Sequence, residues 1–167
     1  MNSFRIVLLT TVVAALIYCE SALAQDGSRQ PDPVIGSWKI NIEASLAAGW
    51  TLPENVAGLS EEYRLIEGDR IELTDTVTNM DGSEDVSILT WSVYGGVAEL
   101  KGDQSGQSWI ETLISPGTWL VTYLMDGVQI RTMEKIVSSD GNTLYQTRRG
   151  FNSEGQAWEA VTVLDRQ

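Results

Sequence analysis

Four charged side chains fall in step with apolar neighbours in stretches of alternating pattern: Asp75 after Ile71 and Leu73, Glu111 between Trp109 and Leu113, Glu134 after Val128 and Ile130, and Arg148 in phase with Leu144. A charge that faces a closed apolar interior is costly unless it is paired or hydrated. Residues placed this way can line a water-containing cavity and orient the polar end of an otherwise apolar ligand. Alternatively, bulges and strand ends turn them outward, or they pair with one another. Arg148 and Arg149 sharpen the choice, because adjacent residues of a straight strand point to opposite sides and one of the two should face inward.

Other chemistries are thinned out by composition. The chain has no His and one Cys, Cys19, which lies in a segment expected to be removed. Ser-His and Cys-His nucleophile pairs, thiolate chemistry and the usual zinc, copper and haem ligand sets are thereby excluded from the mature protein. Carboxylates, tyrosines, arginines and the lysines Lys39, Lys101 and Lys135 remain. There is no phosphate-binding loop, dinucleotide glycine fingerprint or zinc-protease motif, so no cofactor is expected. Asp75, Glu111 or Glu134 could act as acid or base in a cofactor-free isomerase or cyclase only with a pKa moved towards neutrality. Asp81, Glu84 and Asp85, and separately Asp140 with Asn142, gather oxygen atoms near glycine turns, but their spacing departs from the EF-hand loop and fits hairpin chemistry better. No metal site is expected.

Residues 1–24 read as a secretory signal: Arg5 precedes an apolar run from Ile6 to Tyr18, and Ala22-Leu23-Ala24 follows as a small-residue cleavage pattern. The run is shorter than the roughly 20 residues needed to cross a bilayer as a helix, and no other stretch approaches that length. A secreted or periplasmic location is the expectation. Bulky Tyr18 before Cys19 argues against lipid modification at that cysteine. Without Arg5 and Glu20 the mature chain keeps 10 basic against 22 acidic residues, and the net charge stays at −12. Such a surface repels phosphate backbones and anionic lipid, so nucleic acid is not an expected partner. Residues 25–33, with two prolines, read as a flexible lead-in, and 34–167 as one domain large enough to bury a core without metal or disulfide.

Within that domain, turn signals recur: Gly68-Asp69, Asp81-Gly82, Gly95-Gly96, Asp103 to Gly106, Pro116-Gly117, Asp126-Gly127, Asp140-Gly141-Asn142 and Glu154-Gly155. Between them lie runs rich in Val, Ile, Thr, Trp and Tyr, which suit a pleated, half-buried surface. Ten strands are predicted, at about 34–41, 60–67, 70–78, 85–92, 97–101, 108–114, 118–125, 128–137, 143–151 and 157–165. One or two short helices should fill the gap after the first strand, where Glu43 to Ala48 and Pro53 to Gly58 lose the alternation. A meander this long, left open, would expose two adhesive edges, and closure removes both. The fold class is therefore all-β, an up-and-down antiparallel β-barrel. Strand 118–125 is apolar or neutral on both faces, which predicts cover by a helical lid, a protein partner or a second copy of the chain. Trp50, the only Trp outside a predicted strand, is placed to cap the barrel mouth or to pack helix on barrel.

The first strand opens Gly36-Ser37-Trp38-Lys39-Ile40-Asn41. This segment, with the strand pattern over about 34–167, resembles the calycin superfamily, and in particular bacterial secreted lipocalin-like proteins that open with Gly-x-Trp-Lys-x-Asn. Ten strands with a helical excursion after the first is nearer to the fatty-acid-binding proteins than to eight-stranded lipocalins. The resemblance implies that Trp38 is a structural plug at one barrel end, under an Arg that could be Arg148, Arg149 or Arg166. In fatty-acid-binding proteins a late-strand Arg-x-Tyr holds the ligand carboxylate, and this chain ends Val161-Thr162-Val163-Leu164-Asp165-Arg166 without it. The expected function is binding or carriage of a small apolar or amphiphilic molecule, with Asp75, Glu111, Glu134, Arg148, Arg149 and Trp50 as candidate contacts and no catalytic residue assigned. A filled, non-catalytic interaction barrel is the alternative.

Overall fold

Residues 30–101 and 106–167 are described by a computed structural model of the protein. The expected signal at 1–24 and most of the lead-in lie outside the described residues. The unit Pro31–Gln167 forms a closed ring of ten antiparallel strands in the order β1-β10-β9-β8-β7-β6-β5-β4-β3-β2. They are β1 (Gly36–Ile40), β2 (Val56–Ile66), β3 (Arg70–Asn79), β4 (Glu84–Ser92), β5 (Gly96–Leu100), β6 (Gln107–Ser115), β7 (Thr118–Met125), β8 (Val128–Val137), β9 (Thr143–Phe151) and β10 (Ala157–Arg166). Each strand pairs with its sequence neighbours, and β1 closes the ring by pairing with both β10 and β2. The β4–β5 contact is the shortest of the ring, with only Leu89 and Thr90 of β4 in register with Leu100 and Glu99 of β5.

The one helix among the described residues, α1 (Ile42–Ala47), follows β1. Asn41 caps it by accepting from the Ala44 amide at 2.9 Å, and its own side-chain amide donates to Asp165 on β10. One helix of the expected one or two is formed; beyond it the chain makes one turn after Pro53 and enters β2 at Val56, four residues earlier than its alternation suggested. A bulge between Val56 and Gly58 blurs the pattern there. Ser45 anchors α1 to β10, donating to the Val163 carbonyl and accepting from the Val163 amide. The helix therefore covers β10 and not the outer face of β7. On that face Leu120 is flanked by Glu134 and Thr112, and Leu124 by Gln129 and Ser108. The flanking polar groups interrupt an apolar patch and give self-association through β7 no support.

The two ends of the barrel differ. At the end bounded by the β2–β3, β4–β5, β6–β7 and β8–β9 turns, Trp38, Tyr63, Ile71, Trp91, Trp119, Leu144 and Leu164 pack into a solid layer. Trp91 meets Tyr63 and Trp119 edge to face, each with ring centroids 6.2 Å apart. Trp38 is fully buried and its indole N–H donates to the Val34 carbonyl at 2.8 Å. Of the three arginines that could lie over Trp38, the guanidinium is that of Arg166, 4.1 Å from the ring centroid. Arg166 also donates to the carbonyls of Pro33, Ile35 and Gly141, tying the segment before β1 and the β8–β9 turn to the last strand. Gly36 makes room for it: φ is +138° there, and a β-carbon would collide with the guanidinium.

Candidate functional site

Above the aromatic layer the barrel is hollow. A cavity of about 470 Å³ runs towards the α1 end, with walls from Leu59, Val77, Leu89, Trp109, Val121 and Met133 and with Trp50, Pro53 and Val56 at its rim. Its floor carries six ionisable side chains, the acids Glu61, Asp75 and Glu111 and the bases Arg131, Lys135 and Arg148.

Strand pairing explains how they meet. Glu61 on β2 lies directly across from Asp75 on β3, and Asp75 across from Ser87 on β4, so a row of oxygen-bearing side chains crosses three strands on the inner face. Glu61 has no cation within ion-pair distance among the described residues. It is held by hydrogen bonds, accepting from the Tyr63 hydroxyl at 2.6 Å and from the Gln146 amide at 2.8 and 2.7 Å. Gln146 in turn accepts from Arg148 at 2.8 Å, and Arg148 donates to the Thr162 hydroxyl at 2.8 Å. On the other side Lys135 donates to both carboxylate oxygens of Glu111 at 3.2 and 3.3 Å, and its ammonium stands 5.2 Å from the Tyr63 ring and 5.1 Å from the Trp91 ring.

Two floor groups keep open valences. The Asp75 Oδ1 and the Arg131 Nε are shut off from solvent and have no hydrogen-bond partner among the described residues. The Arg131 guanidinium lies 4.1 Å over the Tyr123 ring, with which it shares a wall. Burial first, and the charge of Glu61 second, push the Asp75 carboxyl up to about 7, against the opposing pull of Arg148 and Lys135. Burial also raises Glu111, countered by Lys135, and raises Tyr63 well above the usual phenol value, with Glu61 adding to the effect. Tyr123 is pushed up to about 12 by burial.

Of the residues singled out from the sequence, Asp75, Glu111, Arg148 and Trp50 line this cavity. Glu134 and Arg149 do not. Both lie on the outer face, where Arg149 contacts Glu159 at 2.7 Å and Glu134 at 3.7 Å, with about half of the arginine side chain exposed. The reason for Glu134 is an inversion of β8. Val128 and Ile130, which looked like the inward face, are exposed, while Arg131, Met133 and Lys135 point inward. A bulge opposite Tyr123–Leu124 leaves Ile130 unpaired. Arg149 lies outward because Arg148 takes the inner face in step with Leu144 and Gln146.

Sequence reasoning missed Glu61, Arg131, Lys135, Tyr63 and Gln146. A signal for Glu61 existed: Leu59, Glu61 and Tyr63 alternate with Ser60, Glu62 and Arg64. The oxygen clusters at the turns close their own hairpins. Asp81 accepts from the Ser83 amide and hydroxyl, and Asp140 from the Ser138 hydroxyl and Asn142 amide.

No protein-family model matches the chain, and no curated protein matches it. Solved structures similar to it include the fluorescent protein UnaG. The wild-type structure is 15% identical with a TM-score of 0.51, covering 80% of this chain and 97% of that one. An asparagine-to-alanine mutant of UnaG is 14% identical with a TM-score of 0.54, covering 81% and 96%. An asparagine-to-glutamine mutant gives 14%, 0.53 and the same coverage. The likeness is one of fold alone.

Proposed function

We propose that the protein binds a small, largely apolar molecule inside the barrel and sequesters or carries it, in a secreted or periplasmic setting. The observation that carries this reading is the cavity itself. Its volume of about 470 Å³ falls within the roughly 300–1,000 Å³ typical of small-molecule sites, and apolar walls over a few convergent polar groups are the usual composition of such sites. The filled interaction barrel would require side chains where the cavity lies. The signal pattern in residues 1–24 supports the location.

Trp50 and Trp109 both face the cavity and supply an intrinsic reporter. Displacement of N-phenyl-1-naphthylamine by a chemically varied panel, followed through dye and tryptophan emission, should show saturable one-site binding. Native mass spectrometry of protein from its own host should show a co-purifying small molecule. A panel with no binder, together with a ligand-free native spectrum, would defeat the proposal.

One observation favours turnover as a second reading: a carboxyl held near neutrality beside a cavity, as Asp75 is, is what a cofactor-free isomerase or cyclase requires. A bound compound recovered chemically altered from the wild type and unaltered from Asp75→Asn would establish it.

A further inference from the structure

The cavity floor also constrains the kind of molecule it takes. Most polar atoms there satisfy one another: Glu111 with Lys135, Glu61 with Tyr63 and Gln146, and Arg148 with Gln146 and Thr162. Among the described residues four buried side-chain atoms lack a partner: the indole nitrogens of Trp91 and Trp119, which lie in the aromatic layer, and the Asp75 Oδ1 and Arg131 Nε, which belong to the cavity lining. The last two are of opposite kind, an acceptor and a donor. In a ring of ten strands β3 and β8 are five apart, so the two groups stand on opposite walls of the cavity. A native interior rarely leaves buried polar atoms unpaired, and those that stay open beside a cavity mark where a ligand completes them.

Charge narrows the choice further. Three acids and three bases line the cavity, so with all six ionised, the state Asp75 reaches above about pH 7, the site is neutral before anything enters. A charged guest would bring uncompensated charge into a secluded space, and the net charge of −12 on the whole chain disfavours the approach of anions in particular.

Building on the carrier reading, we propose that the ligand is a neutral, mainly apolar molecule with two separated polar groups, an O–H or N–H that donates to Asp75 and a carbonyl-type oxygen that accepts from Arg131. Hydroxy-ketones and compounds with well-separated hydroxyl and amide groups have this chemistry. Asp75 and Arg131 are then specificity residues that read the two ends, and the apolar walls hold the middle. The donor holds Asp75 in its ionised form, so binding draws its pKa down and affinity rises as pH climbs through about 7, then levels off. The charged or titratable groups that act on Asp75 are Glu61 from β2, Lys135 from β8 and Arg148 from β9, while β4 presents Ser87, which does not titrate.

Four probes of equal chain length separate the contributions: 12-hydroxydodecan-2-one, dodecan-2-one, dodecan-1-ol and dodecane, with dodecanoate as the anionic control. Each is titrated against the dye complex of the wild-type protein at pH 6 and pH 8. The hydroxy-ketone should bind about tenfold or more tighter than either mono-functional probe, and tighter at pH 8 than at pH 6. Asp75→Leu should erase its advantage over dodecan-2-one, and Arg131→Met its advantage over dodecan-1-ol. Asp75→Asn keeps an acceptor oxygen, so it should retain much of the binding and lose the pH dependence, a readout that a merely structural role would not move. Tryptophan emission and a urea unfolding midpoint close to those of the wild type establish that the barrel is intact in the variants. A hydroxy-ketone no tighter than dodecane, or dodecanoate binding best, overturns this inference while dye binding leaves the carrier reading in place. Failure of every probe and of the dye removes both.

Discussion

Replacing Lys135 by Met tests the polar floor most directly. Lys135 and Glu111 are each about 2% exposed, and the ammonium is the only cation within ion-pair distance of that carboxylate among the described residues. Methionine keeps an unbranched chain and a polarisable sulfur against the Tyr63 and Trp91 rings, so packing is largely conserved and charge is what is lost. Breaking one side of a buried pair costs about 3–5 kcal/mol, because the remaining ion has neither water nor partner. Glu111 can escape part of that by taking up a proton, and burial already pushes its pKa upward, so the cost should be larger at pH 8 than at pH 5. Against a total stability of about 5–15 kcal/mol for a domain, this is a substantial loss. The double variant Lys135→Met with Glu111→Leu removes the stranded charge and should return to within about 1 kcal/mol of wild type, leaving a coupling of at least about 2 kcal/mol between the two sites. Urea unfolding followed by tryptophan fluorescence at both pH values gives all four corners of the cycle. A single variant that loses less than about 1 kcal/mol at pH 8, or a double variant no more stable than the single, would refute the account of the floor as a desolvated ion pair.

For Asp75 the folded protein holds the proton more tightly than the unfolded chain does, with a pKa of about 7 against 3.8. Ligand-free stability should therefore fall as pH rises from about 4 to about 7 and be flat above, as far as this group governs it. Asp75→Asn should remove that fall and be more stable than wild type at pH 8 by about 1–4 kcal/mol, converging with it near pH 4, as chemical denaturation across pH would reveal. Arg166→Lys cannot reproduce a guanidinium that serves three carbonyls and stacks on Trp38, and should cost about 2 kcal/mol or more in equilibrium unfolding. Glu134→Gln breaks only an exposed contact with Arg149 and should change stability by less than about 0.5 kcal/mol, with dye affinity unaltered.

The inward or outward direction of each charge was readable only where its strand was regular. In β9, Leu144, Gln146 and Arg148 keep strict alternation, and the sequence already demanded that Arg148 and Arg149 part company. In β8 the apolar residues Ile130 and Ile136 occupy the outer face and charged Arg131 and Lys135 the inner one, so a rule that sends apolar residues inward picks the wrong side. The inversion is tolerated because the inner charges find partners supplied by other strands: Glu111 from β6 for Lys135, and the Tyr123 ring from β7 for Arg131. Nothing local to residues 128–137 announces those partners.

Ten strands, the turns between them and a helical excursion after the first were legible in the residues, because turn chemistry and two-residue alternation are local properties of a chain. Alternation, however, defines two faces without saying which is enclosed. Closure of the ring decided that, and with it that Glu61, Asp75, Glu111, Arg131, Lys135 and Arg148 share one floor although they are drawn from five different strands and some 88 positions of sequence. Whether the space above them is packed or hollow depends on how side chains from all around the ring meet at its axis, a sum over distant residues that no single segment contains.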